Sequence, residues 1–315
     1  MAVEALGWWG VPLAIAGGAL RGSAPFLFVS LGECLTEKSG KINLGLEGAL
    51  LTGAMTAYAT SYYLREVPFL GPWVGVVVAG IAGGLLGLLH SWLAQKPQVS
   101  DVAVGIAMII FGSGIAFFFG KPFIQPPAPQ LPALPLGNWS ELPQVRSAFS
   151  ISPLFLLGVL VAPLMQWFFK ATRWGLFVRA AGDSPAAAKA MGVSVKQVRA
   201  YAIVIGSVLA GIGGAYLSLV YPGSWNERIS SGQGLMAVAL VIFARWRPMH
   251  CLYASLLFGG AQAIGPALQS VGVESFYYVW NASPYILTLA IMTVTCSPKR
   301  TLVGAPGALG QTQLE

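Results

Sequence analysis

Nine apolar stretches, at 12–35, 42–64, 73–93, 102–120, 153–169, 200–221, 234–244, 251–268 and 284–296, divide the chain and leave most of its charge between them. A helix needs about 20 residues to cross the hydrocarbon of a bilayer, and most of these stretches approach that length. Charged residues are 9% of the sequence and hydrophobic ones 56%, against roughly 25% charged in an ordinary water-soluble domain. The pattern predicts an all-α, polytopic membrane protein. Arg21, Gly22 and Pro25 interrupt the first stretch and the seventh is short, so about nine transmembrane helices are expected, within a range of about eight to ten.

Lys and Arg accumulate in cytoplasmic loops, which sets an expected orientation. Placing 170–199 in the cytoplasm brings Lys38, Lys41, Lys96, Arg245, Arg247, Lys299 and Arg300 to the same side and leaves Arg65, Lys121, Arg146 and Arg228 opposite. The C-terminus is then cytoplasmic and, with nine spans, the N-terminus external. The first basic residue is Arg21, so the chain does not open on the charged n-region of a secretory signal peptide. The net charge of +7 reads as topology, not as a nucleic-acid footprint, which needs basic residues interleaved with exposed aromatics.

The segment 170–199 carries six of the 18 Lys and Arg and has a structure of its own. Ser184 offers a hydroxyl to the orphan N–H groups of a helix start, and Pro185 suits the first helical position, where no N–H is needed. Ala186, Ala187, Ala188, Lys189, Ala190 and Met191 continue as strong helix formers, and Gly192 supplies the φ > 0 residue that ends a helix. Ser194 with Gln197 reads as a capping box that starts the next helix. A two-turn helix capped at both ends is more than a connector requires, and predicts docking against a partner.

A second cluster, from Leu31 to Ala54, crowds Glu33, Glu37, Lys38, Lys41, Asn43 and Glu47 between two apolar runs punctuated by Gly32, Gly40, Gly45, Gly48 and Gly53. Carboxylates near a span are costly and usually face a cavity, a partner or water. A broken helix at membrane depth is tolerated where protein or a water-filled cavity satisfies its backbone, and such breaks are where transporter substrate sites lie. Two readings stand: a plain cytoplasmic turn with Glu37 and Lys38 solvated, or a polar break lining a path, with Asn43 and Glu47 set further into the second run. Ser231-Gly232 precedes QGLMAVALVIFARW much as Ser39-Gly40 precedes KINLGLEGALLTGA, a weak internal echo. Gly80–Gly87 and Gly206–Gly214 present small-xxx-small spacings for close helix packing, within one subunit or at an interface.

Enzyme chemistry finds little support. No G-x-x-x-x-G-K-[ST] occurs, so the chain cannot hold a nucleotide phosphate in that manner. His90 and His250 fall near span ends, where a lone imidazole is more often an interfacial polar residue than a ligand. Cys34, Cys251 and Cys296 lie in or beside separate spans without metal-site or disulfide spacing. The proline-rich segment from Lys121 to Pro143 cannot hold a regular helix and is expected to be an extended external loop, a connector or a landing surface.

The run GECLTEKSGKINLGLEGALLTGAM, the loop RWGLFVRAAGDSPAAAKAMGVS followed by GSVLAGIGGAYLS, the segment SGQGLMAVALVIFARWRP and the late SPYILTL resemble, in combination, permease subunits of bacterial ATP-binding-cassette (ABC) importers for nucleosides and simple sugars. The likeness covers about 20–310 and extends to branched-chain and ribose permease-like chains. It is narrowest to the shorter of two paired permeases in basic-membrane-protein type nucleoside systems. Ala244-Arg245 departs from the Gly-Arg of that pattern.

The resemblance implies one transmembrane permease domain over 1–315, with a Pro-rich external loop at 121–150 and a cytoplasmic coupling loop at 170–199. It implies a heterodimer with a second homologous permease, cytoplasmic ABC ATPase subunits and an external solute-binding protein, in the bacterial inner membrane. This chain would bind no cofactor, because ATP is used by the partner subunit. The family's coupling segment falls on Arg179, Gly182, Asp183, Ala187 and Gly192, and the capped helix adds Ala188 and Lys189. Glu33, Gly40, Asn43, Gly45 and Glu47 are the expected substrate-path residues, with no catalytic or metal-binding set. The competing expectation is a self-sufficient ion-coupled carrier or channel using Glu33 or Glu47 as its coupling carboxylate.

Overall fold

In lipid, a backbone N–H or C=O must find its partner inside the protein, and a helix does this within one segment. Each of the nine apolar stretches accordingly contains a helix in the computed structural model, which describes residues 8, 10–96, 99–141, 143–273, 275–295 and 304–309. In chain order these helices are α1 (Gly10–Lys38), α2 (Leu46–Tyr63), α3 (Leu70–Ala94), α4 (Asp101–Gly120), α6 (Pro153–Ala171), α9 (Val195–Leu219), α10 (Gln233–Phe243), α11 (Pro248–Gln269) and α13 (Ser283–Thr295). Between them lie the short α5 (Pro143–Ala148), α7 (Arg173–Asp183), α8 (Pro185–Ala190) and α12 (Tyr277–Asn281). Among the described residues the only strands are Leu134–Pro135 and Ser150–Ile151, paired antiparallel.

Six helices, α1, α3, α4, α6, α9 and α11, are long and apolar enough to cross a membrane, so the expected nine is not reached on that criterion. The physical reason differs for the other three. α2 has 18 residues, but Glu47 and a C-terminal run of Thr, Ser and Tyr make it too polar, while α10 has 11 residues and α13 has 13. Cys296, Lys299 and Arg300, part of the topology argument, lie outside the described residues.

The bundle is organised around α9, which packs against α3, α2 and α1, while α11 packs along α1. Contact this close needs helices without side chains at the crossings. Gly32 of α1 lies against Gly206 of α9, where a Cβ on Gly206 would come 2.7 Å from the Gly32 oxygen. Gly211 meets Ala79 of α3 and Gly53 of α2, and Gly83 meets Ser207. The small-residue spacings in 80–87 and 206–214 therefore pack on one another within this chain.

The outer faces carry the complementary pattern. On α3, Val77, Ile81, Leu85, Leu88 and Trp92 are exposed at helical spacing, as are Leu157, Leu160, Leu164 and Trp167 on α6. In water such stripes would be a liability; in lipid they are the solvated surface.

The proline-rich loop is pinned across one end of the bundle. Tyr58 donates its hydroxyl proton to the Pro126 carbonyl at 3.0 Å and Ser61 to the Pro129 carbonyl at 2.6 Å, while Leu131 N–H bonds the Leu219 carbonyl at 3.0 Å. Among its described residues before Pro143, the only helix is a three-residue 3₁₀ turn at Lys121–Phe123.

Gly211→Leu should lower stability by about 1–3 kcal/mol through overpacking, seen as a lower melting temperature in detergent. Gly114→Ala, where an added Cβ meets nothing within 4 Å, should melt like the parent. Equal melting of Gly211→Leu and parent would contradict a tight α9 centre.

Candidate translocation and coupling sites

Ending α1 at Lys38 and restarting the helix at Leu46 frees backbone and polar groups inside the bundle, and the chain finds protein partners for most of them. Gly40, at φ 86°, turns the chain where an L side chain would be strained. Glu33 reaches forward from α1, and its Oε1 accepts the Asn43 backbone N–H at 2.9 Å. Asn43 donates its side-chain amide to Ser207 Oγ on α9 at 3.1 Å. Lys41 donates to the Ala94 carbonyl at 3.1 Å and forms an ion pair with Asp101 at 2.8 Å, tying the break to the end of α3 and the start of α4. Glu37 accepts from the indole N–H of buried Trp246. A plain turn with Glu37 in solvent is therefore excluded.

Some buried polar atoms in the break have no hydrogen-bond partner: Glu33 Oε2, Asn43 Oδ1 and both ring nitrogens of His90. They converge. A Cβ at Gly45 would lie 2.9 Å from His90 Nδ1 and 3.1 Å from Asn43 Oδ1. His90 is thus a buried member of this cluster, not the interfacial residue that its place near a span end suggests. Its signal in the sequence was weak, because one imidazole in an apolar helix gives no indication of which element it faces.

Glu47 is fully engaged. Its Oε1 accepts from Ser230 Oγ at 2.6 Å and its Oε2 from the Gly234 N–H at 2.6 Å. Gly234 is in the first turn of α10, so the carboxyl of α2 occupies a helix N-terminus whose free N–H groups favour an anion. The echo between Ser39-Gly40 and Ser231-Gly232 has a geometric counterpart: Gly232 is left-handed at φ 77°, each glycine precedes a helix, and Glu47 joins the two helix starts.

The capped helix forms as α8. Ser184 Oγ accepts from the Ala187 N–H at 3.4 Å, Pro185 opens the helix and Gly192 follows it at φ 78°. Ser194 makes no side-chain cap, so the expected capping box is absent; the chain instead starts α9 from a non-helical Ser194 without it. The preceding α7 is an additional helix, begun by Thr172 accepting the Gly175 N–H at 3.0 Å.

Of the residues assigned to coupling, Asp183, Ala187, Lys189 and Gly192 are exposed, Arg179 is half-buried, and Gly182 and Ala188 are buried inside the chain. Gly182 sits against the Lys38 carbonyl and Gly40. Arg199, buried at the start of α9, donates from Nε to the Ser39 carbonyl at 3.1 Å and from Nη2 to the Ala181 carbonyl at 3.4 Å. Segment 304–309 adds a third tie, with Ala308 N–H on the Gly182 carbonyl at 2.8 Å. The loop that carries α8 is fastened directly to the α1–α2 break.

A multi-pass helical bundle with an interrupted polar helix pair, joined to a capped loop helix, defines a membrane transport component. The family described as "Branched-chain amino acid transport system / permease component" matches residues 14–295, and the chain belongs to it. Among its relatives, the putative glucose ABC transporter permease protein TsgC13 of Haloferax volcanii is 32% identical over 259 residues, 81% of this chain and 77% of that protein. The guanosine ABC transporter permease protein NupQ of Bacillus subtilis is 30% identical over 292 residues, 86% of this chain and 88% of that one. The nucleoside ABC transporter permease protein NupC of Lactococcus lactis is 25% identical over 285 residues, 86% and 89% of the two chains. The protein is thus a permease subunit of an ABC importer and not an enzyme, and the self-sufficient carrier is set aside.

Glu47→Leu removes both acceptors from the α10 start. At about 1.5–3 kcal/mol for a bond to a charged group, the loss should be about 3 kcal/mol, with amide exchange at the first turn of α10 about tenfold faster or more. Glu47→Gln, which can still accept one bond, should fall between. Unchanged exchange at Gly234 in the leucine variant would show that Glu47 does not hold this end.

Proposed function

We propose that the chain is the permease half of an importer for neutral, hydroxyl-bearing solutes of the nucleoside or simple-sugar kind. Its relatives named for guanosine, nucleosides and glucose support that solute class. The likeness to the shorter of two paired permeases supports a heterodimer with a second homologous permease. Cytoplasmic ATPase subunits and an external solute-binding protein complete the assembly, and the ATP is bound by the ATPase rather than by this chain. The excess of Lys and Arg around α8 supports a cytoplasmic coupling loop and C-terminus, with the proline-rich loop 121–150 outside. In this reading α2, α10 and α13 join the six long helices to give nine membrane segments in a single permease domain, with α2 and α10 largely buried among longer neighbours.

The observation that carries the proposal is the fastening of the α7–α8 loop to the α1–α2 break by Gly182, Arg199 and Ala308. A push delivered to the exposed face around Ala187 and Lys189 reaches the break through short, buried bonds, with Arg179 and Asp183 beside the contact. The substrate path runs by Gly40, Asn43, Gly45 and Glu47, with Glu33 behind them. The partnerless Asn43 Oδ1 supports this, because a buried polar atom ordinarily finds protein or water and this one is available to a solute once the helices part.

Two variants separate coupling from passage. Gly192→Val forces a β-branched residue to φ 78° where an added Cβ has room, so any effect is conformational. It should keep ATP hydrolysis by the assembled complex and lose uptake, whereas Gly192→Asn, which tolerates that φ, should transport. A valine variant that co-purifies with its ATPase and transports normally would remove α8 from the coupling route. Asn43→Leu should lower uptake about tenfold with yield and basal ATP hydrolysis unchanged; unaltered uptake kinetics would take Asn43 off the path.

A further inference from the structure

At the end of the bundle remote from α8, a cavity of about 260 Å³ opens between α1, the end of α9, the start of α10, α11 and α13. Its wall includes Gly22, which lies 16 residues before Lys38 and hence about 24 Å along α1 from the coupling end. Ligand pockets usually run from about 300 Å³ upward, so this one suits a single small solute.

The lining has a definite chemistry. Gly22 and Gly259 bring α1 and α11 together at one edge of the cavity, where a Cβ on Gly22 would lie 3.5 Å from Gly259 and one on Gly259 2.6 Å from the Ser23 nitrogen. Tyr221 provides an aromatic face, and the Arg21 guanidinium stands 5.9 Å from its ring centroid, with Arg21 Nε buried and partnerless. Gln262 and Asn281 bring two primary amides, each with donors and an acceptor, while the Ser231 hydroxyl donates to the Arg228 carbonyl at 2.9 Å and the Tyr285 hydroxyl to the Ser231 carbonyl at 3.4 Å, leaving their oxygens as acceptors. The lining contains neither a carboxylate nor an amine, and Arg21, over the Tyr221 ring, repels a positively charged solute.

We infer that this cavity is a binding site for one neutral, ring-shaped, hydroxyl-bearing solute, stacked on Tyr221 and read by Gln262 and Asn281, on the route into the permease. Its position gives it a barrier on the inner side. Ser231 lines the cavity, and the adjoining Ser230 is the residue bonded to Glu47. Met236 lines it too, two residues beyond the Gly234 amide that Glu47 also holds. The Ser230–Glu47–Gly234 clasp therefore stands immediately behind the lining, between the cavity and the polar break. The inference rests on the importer reading, and nucleosides and hexoses share the required chemistry.

The test uses the complete transporter in proteoliposomes, with radiolabelled guanosine and glucose as separate arms. Gln262→Leu combined with Asn281→Leu should raise the uptake KM about tenfold or more, with the separate binding protein's own solute affinity as the reference that stays fixed. The arm that is affected identifies the solute class. Tyr285→Cys, in a chain with Cys296→Ser and with Cys34 and Cys251 buried, gives a second readout. A water-soluble maleimide should label it, and the transported solute should slow labelling about tenfold or more at saturation. Unchanged KM in the double variant together with labelling indifferent to either solute would overturn the site. Failure of the parent transporter to take up either solute would count against the importer reading instead, and the labelling, which needs no ATP, would still decide the cavity.

Discussion

Arg199 makes the connection on which the rest of the arrangement depends. One guanidinium, buried where α9 begins, bonds the carbonyl of Ser39 at the end of α1 and that of Ala181 near the end of α7. Burying a guanidinium is costly unless its donors are used, and the planar fork suits two separated acceptors. Here both acceptors are main-chain carbonyls freed by helix ends, so the same contact relieves three unsatisfied groups. It also means that the α7–α8 loop cannot shift far without moving the α1–α2 break.

Around that pin the bundle divides its work by residue type. Glycines on α1, α2, α3 and α9 bring backbones together and leave no room for side-chain rearrangement, which makes the centre a stiff unit. Polar residues are concentrated at the helix starts, where Lys41–Asp101, Glu33–Asn43 and Glu47–Gly234 each satisfy groups that lipid could not. Motion is then most readily taken up at these polar joints, whose bonds can exchange with water or solute, rather than in the glycine-packed crossings.

Much of this was legible in the sequence because each signal was local. Ser184-Pro185 and Gly192 mark α8 by capping and backbone chemistry alone, and the apolar runs mark the helices. What escaped depended on contacts far along the chain. Glu37 next to Lys38 looks like a solvated turn until Trp246 is brought over it. Ser230 carries no signal of its own, yet it is the partner of Glu47 from 183 positions away. Tyr221 resembles an interface anchor in a chain with many aromatics, and only the approach of α11 and α13 makes it the wall of a cavity. The number of spans is not fixed by length and composition alone, which single out six helices: helicity follows from apolar composition, but α10 and α13 are short and α2 is polar.

The central claim is that force passes from the α8 loop to the break through Arg199. Solute transported per ATP hydrolysed, measured in the reconstituted complex with Arg199→Lys, tests it most directly. Lysine keeps the charge but cannot hold Ser39 and Ala181 with a fixed fork, a loss of about 1.4 kcal/mol or more that corresponds to a factor of about ten. The account predicts that hydrolysis continues while transport per ATP falls about tenfold. An unchanged ratio, in a variant that assembles normally, would contradict it.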